Sequence, residues 1–295
     1  MNGTPPAEVR IDAPLVRRLL RDQHPDLADL TINRVDAGWD NEMYRLGDDL
    51  AVRLPRRAMA ADLILNEQRW LPMLAQTLPI PIPSPVRVGG LGQGYPWSWS
   101  ILPWFEGETA NVSPPSSNQA ERFADFLLAL HRPTPPDAPT NPYRGEPLSA
   151  RAADVEARMK RLAGDASVMT PAVWTAWHDG RAAPVAVEAR WLHGDLHARN
   201  ILVRDGAFVV VLDWGDITGG DVATDLASVW HLFDGVADRA RVLERYGATT
   251  DQVARARAWV VRIGLLLVET GRVDHPAHAA MGEAALRRLA QDDRT

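Results

Sequence analysis

Residues 191–216 read WLHGDLHARNILVRDGAFVVVLDWGD, and the fold follows from how this stretch must run. Two short apolar runs, 201–203 and 208–212, flank Arg204-Asp205-Gly206-Ala207. An Asp-Gly pair between such runs signals a hairpin turn. Two strands joined this tightly carry the chain out and back. Asn200 at the entry and Asp213 past the exit are therefore expected side by side. An amide oxygen and a carboxylate meeting there are hard-oxygen ligands suited to Mg²⁺. Asp195 stands on the loop before the hairpin, free to accept a proton. Metal, phosphate and base together describe phosphoryl transfer.

His193-Gly194-Asp195, then Asn200, then Asp213-Trp214-Gly215-Asp216, resembles the signature of aminoglycoside phosphotransferases and their choline kinase-like relatives. These form the small-molecule branch of the protein-kinase-like fold. Protein kinases write the two parts H-R-D-x-x-x-x-N and D-F-G; here Gly194 takes the arginine's place and Trp214 the phenylalanine's. The resemblance implies an α+β bilobal fold, a small five-stranded antiparallel sheet lobe plus a larger, mostly helical lobe. It implies that Asp195 orients the acceptor hydroxyl and receives its proton. Asn200 and Asp213 would bind Mg²⁺, with Asp213 bridging the metal to the β- and γ-phosphates. His193 reads as structural, Asp216 as a metal-site assistant or a buttress of the turn, and Asp225 as an anchor of the loop. His197 and Arg199 lie within reach of substrate or phosphate, or are simply solvated.

At 295 residues, with 46% hydrophobic content, the chain suits two lobes and a sizeable core. It has no cysteine, which excludes disulfides, thiolate metal sites and cysteine nucleophiles. No apolar run approaches the roughly 18 residues of a membrane span, and the first residues, MNGTPPAEVR, lack the apolar core of a signal peptide. A soluble, cytoplasmic protein is expected. The net charge of −6 argues against nucleic acid and is compatible with a cationic small substrate. Of the 32 basic residues only Lys160 is lysine, so any phosphate-binding cation in the first lobe must be arginine.

Residues 1–102 are expected to form the nucleotide-binding lobe. A helical apolar face spans 11–21, and strands are predicted at 30–37, 42–46 and 50–54. The turn Gly38-Trp39-Asp40-Asn41 resembles the one that covers the nucleotide phosphates, with Gly38 and Asn41 as its candidate contacts. Arg53 stands where the family's third strand carries its phosphate-pairing lysine. A guanidinium binds phosphate bidentately and keeps its charge, although the swap departs from the family's pattern. Arg56 and Arg57 read as solvated edge charges. A helix is predicted over 58–76, kinked at Pro72, with Glu67 as the carboxylate that pairs with Arg53. The proline-rich 79–85 is an extended connector, followed by strands at 86–88 and 97–102.

Residues 103–117 read as a hinge and 118–295 as the helical catalytic and substrate lobe. The resemblance places adenine on hinge backbone, the Pro103 carbonyl accepting and the Phe105 N–H donating. Helices are predicted at 118–131 with Asn118 as cap, and at 150–163, 171–177, 221–233, 236–246, 250–269 and 275–291. The expected activity is ATP- or GTP-dependent phosphorylation of a hydroxyl on a small molecule, an aminoglycoside or other antibiotic. A kinase of choline, homoserine or fructosamine type, a non-catalytic nucleotide-binding module and a protein kinase are the alternatives. A cationic acceptor needs carboxylates, for which Asp234, Asp238, Glu269 and Asp274 are candidates, unless these are only solvated.

Overall fold

The computed structural model describes residues 6–37, 40–185 and 188–292. It comprises two compact units, one running to Glu106 and including Val210–Gly215, the other formed by Gly107–Val209 and the chain from Asp216.

The first unit opens with α1 (Ala13–Gln23), whose Asp12 cap accepts from the Leu15 N–H at 3.0 Å. Its face of Leu15, Val16, Leu19 and Leu20 is buried, as the spacing of apolar residues requires. Strands β1 (Ile32–Ala37), β2 (Asn41–Leu46) and β3 (Leu50–Pro55) follow, then α2 (Ala58–Leu74), β4 (Arg87–Gly89) and β5 (Trp99–Pro103). They form a five-stranded antiparallel sheet in the order β1-β2-β3-β5-β4. β2 alternates half-buried and buried residues, whereas central β3 is buried from Ala51 to Pro55. One face of the sheet, with Tyr44, Val52, Leu54, Trp99 and Ile101, packs in one cluster with α1. α2 continues through Pro72 and stops at Leu74, two residues short of the expected end.

The second unit contains β6 (Glu108–Thr109), α3 (Ala120–Leu130), α4 (Ala152–Leu162), α5 (Pro171–Ala182), β7 (Arg190–Leu192), β8 (Ile201–Arg204), the first three residues of β9 (Ala207–Val211) and β10 (Thr218–Gly220). Helices α6 (Ala223–Leu226), α7 (Ser228–Leu232), α8 (Val236–Tyr246), α9 (Thr250–Asp274) and α10 (Pro276–Asp292) complete it. The β8–β9 hairpin turns on Asp205 (φ 52°) and Gly206 (φ 75°), the pair of positive φ values that an Asp-Gly turn supplies. β7 pairs with β10, setting Leu192 opposite Thr218. α9 is the central helix, packed against α10, α5, α6 and α4.

Two expectations are corrected. Asn118 does not cap α3: it sits inside a 3-10 turn, Ser117–Gln119, that leads into the helix. The single helix expected over 221–233 is two short ones, α6 and α7. At their junction the Ser228 hydroxyl donates to the Asp225 carbonyl at 2.5 Å, a local bond that competes with helix continuation.

Candidate active site

In the first unit the period-2 alternation of β3 puts Val52 and Leu54 on the α1 side and Arg53 on the other. There it meets Glu67, which takes a place in the buried stripe of α2 formed by Ala60, Ile64, Leu71 and Leu74. Arg53 Nη1 donates to both Glu67 oxygens, at 2.8 and 2.9 Å, and Nη2 to Asp213 Oδ1 at 2.9 Å. Asn41, its amide oxygen turned to the guanidinium, accepts from Nε at 3.2 Å and Nη2 at 3.0 Å. Burial pushes the Glu67 carboxyl up to about 7 against the pull of Arg53, and Asp213's charge adds to the push. Burial opposes the charge of Arg53 as well, yet Glu67 and Asp213 outweigh it and raise its pKa. Asp213 has φ 57°, the left-handed region uncommon for a non-glycine residue, and its side chain is 57% exposed. The next residue, Trp214, is fully buried and donates to the Val211 carbonyl at 2.9 Å, which pins the turn.

In the second unit the loop between β7 and β8 is hung on Asp225. Its carboxylate, fully buried, accepts from the His193 N–H at 2.7 Å and the Gly194 N–H at 2.9 Å. Burial works to raise its pKa, but the His131 ring, the charge of His193 and the Gly194 N–H hold it low. Gly194 has φ 86°, and a Cβ there would lie 2.6 Å from the Asp216 carbonyl oxygen. Only glycine fits, which is the physical reason that no arginine stands here. His193 Nδ1 accepts from the Asp195 N–H at 3.2 Å. Asn200 Nδ2 donates to the Asp195 carbonyl at 2.9 Å, which turns the amide oxygen of Asn200 the other way.

Asp195 itself is partly exposed and surrounded by cationic and imidazole groups. Arg144 Nη2 donates to its Oδ1 at 2.6 Å, and His197 Nε2 lies 3.5 Å from its Oδ2. Burial works to raise its pKa, but Arg144, with His197, His193 and His231, overrides this and holds it at about 2. Asp216 closes the array: Asn141 Nδ2 donates to it at 2.6 Å and Arg144 Nε at 3.3 Å. An ionised carboxylate on a glycine-dependent turn is thus held by an arginine, beside an amide with its oxygen unspent.

A sequence model described as the phosphotransferase enzyme family matches residues 31–261, most of the chain and all of both carboxylate arrays. The chain belongs to that family. Among curated proteins none matches the phosphotransferase by sequence. Solved structures do. One is aminoglycoside 2′-phosphotransferase-IIIa in complex with GDP, 16% identical, with a TM-score of 0.70 over 96% of this chain and 100% of that one. A second is a ternary complex of APH(2″)-IIa with streptomycin and ATP, 16% identical, with a TM-score of 0.57 over 94% and 99%. A third is macrolide 2′-phosphotransferase MphH from Brachybacterium faecium, 20% identical, with a TM-score of 0.55 over 93% and 98%. The fold of the phosphotransferase is accordingly the α+β, protein-kinase-like one.

The structure brings Arg53, Glu67, Asn41 and Asp213 together in the first unit, and Asp195 and Asn200 in the second. Gly38 lies outside the described residues. Just past β5 the Trp104 N–H donates to the Asp49 carbonyl at 2.7 Å. Across the planar trans peptide the Pro103 carbonyl points away from Asp49. Arg56 and Arg57 correct an expectation: both are half-buried rather than solvated, and Arg57 is ion-paired with Asp40. Arg199 contacts His278 of α10. Sequence reasoning missed Arg144 and Asn141. Both lie in the loop 132–148, whose six prolines suppress any periodicity that could have marked them. No helix among the described residues is long and apolar enough to cross a membrane.

Proposed function

We propose that the chain transfers the γ-phosphate of ATP or GTP, with Mg²⁺, to a hydroxyl of a small molecule, and that the acceptor is an antibiotic of the broad class handled by its structural neighbours. The observation that carries this reading is the Asp195 loop. It presents an ionised carboxylate on a turn fixed by Asp225 and tied through the Asp195 carbonyl to Asn200. Asp195 accepts a hydrogen bond from the acceptor hydroxyl and takes up its proton as the new O–P bond forms and the bond from the γ-phosphorus to the β-phosphate oxygen breaks, the nucleoside diphosphate leaving. Positioning the hydroxyl contributes more than basicity, because a carboxylate held near 2 is a weak base.

The donors present fit a magnesium–nucleotide. Asn200 has its amide nitrogen committed to the Asp195 carbonyl, which leaves the oxygen as ligand. Asp213 is exposed, and Arg53 engages its Oδ1, so Oδ2 is the second hard donor. No group of three or more His, Asp or Glu suited to a metal occurs among the described residues. Mg²⁺ bound with phosphates needs only one or two protein carboxylates. Bound Mg²⁺ would neutralise charge on the β- and γ-oxygens. Arg53 holds Asp213 in place, and a phosphate oxygen competes with that carboxylate for Nη2. Pro103 and Phe105 supply the backbone groups for the base.

One observation favours a second reading, a module that holds nucleotide without transferring it: Arg144 occupies an oxygen of Asp195 at 2.6 Å. Transfer from γ-labelled ATP and GTP to a panel of hydroxyl compounds separates the two. Asp195→Ala is expected to lower transfer at least about 10³-fold while nucleotide affinity stays within about twofold. Wild-type turnover in that variant would overturn the assignment, and binding without transfer across the panel would select the module.

A further inference from the structure

Helix α9 and the 3-10 turn against it carry guanidinium N–H groups with no hydrogen-bond partner among the described residues. Arg262, on the buried side of α9, is 6% exposed, and its Nε and Nη1 are buried without a hydrogen-bond partner among the described residues. Its nearest companion is the ring of Trp259, 4.8 Å from the guanidinium carbon. Arg151, on the 3-10 turn that precedes α4 and abuts α9, likewise has a buried, unpartnered Nε and lies 5.0 Å over the ring of Tyr143. Burial lowers the pKa of Arg262 to about 10, and the charges of Arg144, Arg151 and Arg158 push it the same way. It remains a cation at neutral pH, amid like charges.

The acidic residues nearby are already taken. Glu269 accepts from Arg158 at 2.8 Å and from Arg161 at 2.5 and 3.0 Å, and Asp154 accepts from Arg158 at 2.7 Å. Asp234 is paired with Arg288, and Asp238 with Arg241 and Ser117. Glu269 and Asp154 are therefore taken by Arg158 and Arg161, while buried N–H donors of Arg262 and Arg151 are left over. A buried cation without a partner is costly, and a planar oxyanion is the group that a guanidinium fork matches.

We propose that Arg262 and Arg151 receive an anionic group of the acceptor, a carboxylate, sulfate or phosphate ester, while the hydroxyl to be phosphorylated lies at Asp195. This rests on the reading of Asp195 as the acceptor end of the site, and it adds a negative group to what the acceptor carries. Arg144 is joined to Asp195 and Asp216, and its charge acts on Arg262.

Two measurements test it. In nucleotide-free protein, sulfate and inorganic phosphate at fixed ionic strength are expected to raise the melting temperature in a saturable manner that chloride does not reproduce. Arg262→Gln and Arg151→Gln, each folded by circular dichroism, are expected to weaken that binding at least tenfold, Arg262→Lys less, and Arg53→Gln to leave it in place. No anion-specific stabilisation in the wild type, or one lost only in Arg53→Gln, overturns the proposal. The second measurement compares γ-phosphate transfer to glucuronate, glucose and glucosamine, which carry negative, neutral and positive substituents on a common ring. The anionic sugar is expected to have the highest kcat/KM, with its advantage lost through KM in Arg262→Gln. Preference for the amine overturns the anion site but leaves the transferase reading intact. Transfer to none of them, with sulfate binding still dependent on Arg262, keeps the anion site and counts against the transferase reading.

Discussion

Arg53 shows what one side chain does in a sheet with almost no lysine. Its guanidinium makes bonds to Glu67, Asp213 and the Asn41 oxygen in one plane, which a single ammonium could not reproduce. Removing one partner strands the rest: Glu67→Ala is expected to cost about 3–5 kcal/mol, read from urea midpoints, and Glu67→Gln less. A second residue-scale effect concerns His231. It is buried, and neither ring nitrogen has a hydrogen-bond partner among the described residues. Burial lowers its pKa to about 3, with His197 and Arg288 pushing the same way. The unfolded chain takes up this proton near pH 6.5 and the folded chain only near 3. The stability is therefore present above 6.5 and lost as pH falls from 6.5 towards 3, at up to about 1.4 kcal/mol per pH unit. In urea melts at pH 7, 6 and 5 the Glu67 carboxyl, raised to about 7, contributes with the opposite sign, so His231→Leu is expected to shift the slope, by up to about 1.4 kcal/mol per pH unit, towards greater stability at low pH. An unchanged slope in the variant would assign the proton elsewhere.

At the scale of elements, the loop between β7 and β8 is a device for presenting Asp195, and its tolerance is set by one glycine. Gly194→Ala places a methyl 2.6 Å from the Asp216 carbonyl oxygen at φ 86°. Transfer is expected to fall at least about 10²-fold even where the variant stays folded, because an ångström of displacement at a positioned carboxylate costs that much. Near-native turnover would show that the loop relaxes. The hairpin after this loop was legible in the sequence because Asp205-Gly206 is a local signal. β7 and β10 were not, since three-residue strands carry no readable period and their pairing joins residues 26 apart in the chain, Leu192 with Thr218. The split of 221–233 into α6 and α7 was hidden for a related reason. It turns on the Ser228–Asp225 bond and on a carboxylate drawn off to the backbone of residues 193 and 194.

For the whole molecule, ligand linkage is the sharpest test, because nucleotide that binds only the folded chain stabilises it by mass action, about 2.7 kcal/mol at a hundredfold excess over Kd. Thermal melts with ATP or GTP are expected to show a further rise on adding Mg²⁺. Asp213→Ala is expected to lose that Mg²⁺-dependent increment while keeping the metal-free one. Retention of the full increment would remove Asp213 from the metal site.

The sequence by itself determined the strands of the first unit's sheet, the longer helices and the Asp205-Gly206 hairpin, because turn residues, strand alternation and helix stripes are local and short-ranged. It also showed that arginine must serve wherever a cation is needed, since only Lys160 offers the alternative. Tertiary structure alone decided which charges are satisfied: that Arg53 also takes Asp213, that Arg144 reaches Asp195 from a proline-rich loop, and that Arg262 Nε and Nη1 lack a hydrogen-bond partner among the described residues. An ion pair between residues 51 positions apart, as for Arg144 and Asp195, leaves no periodic trace in the chain. Its existence depends on where packing places each end.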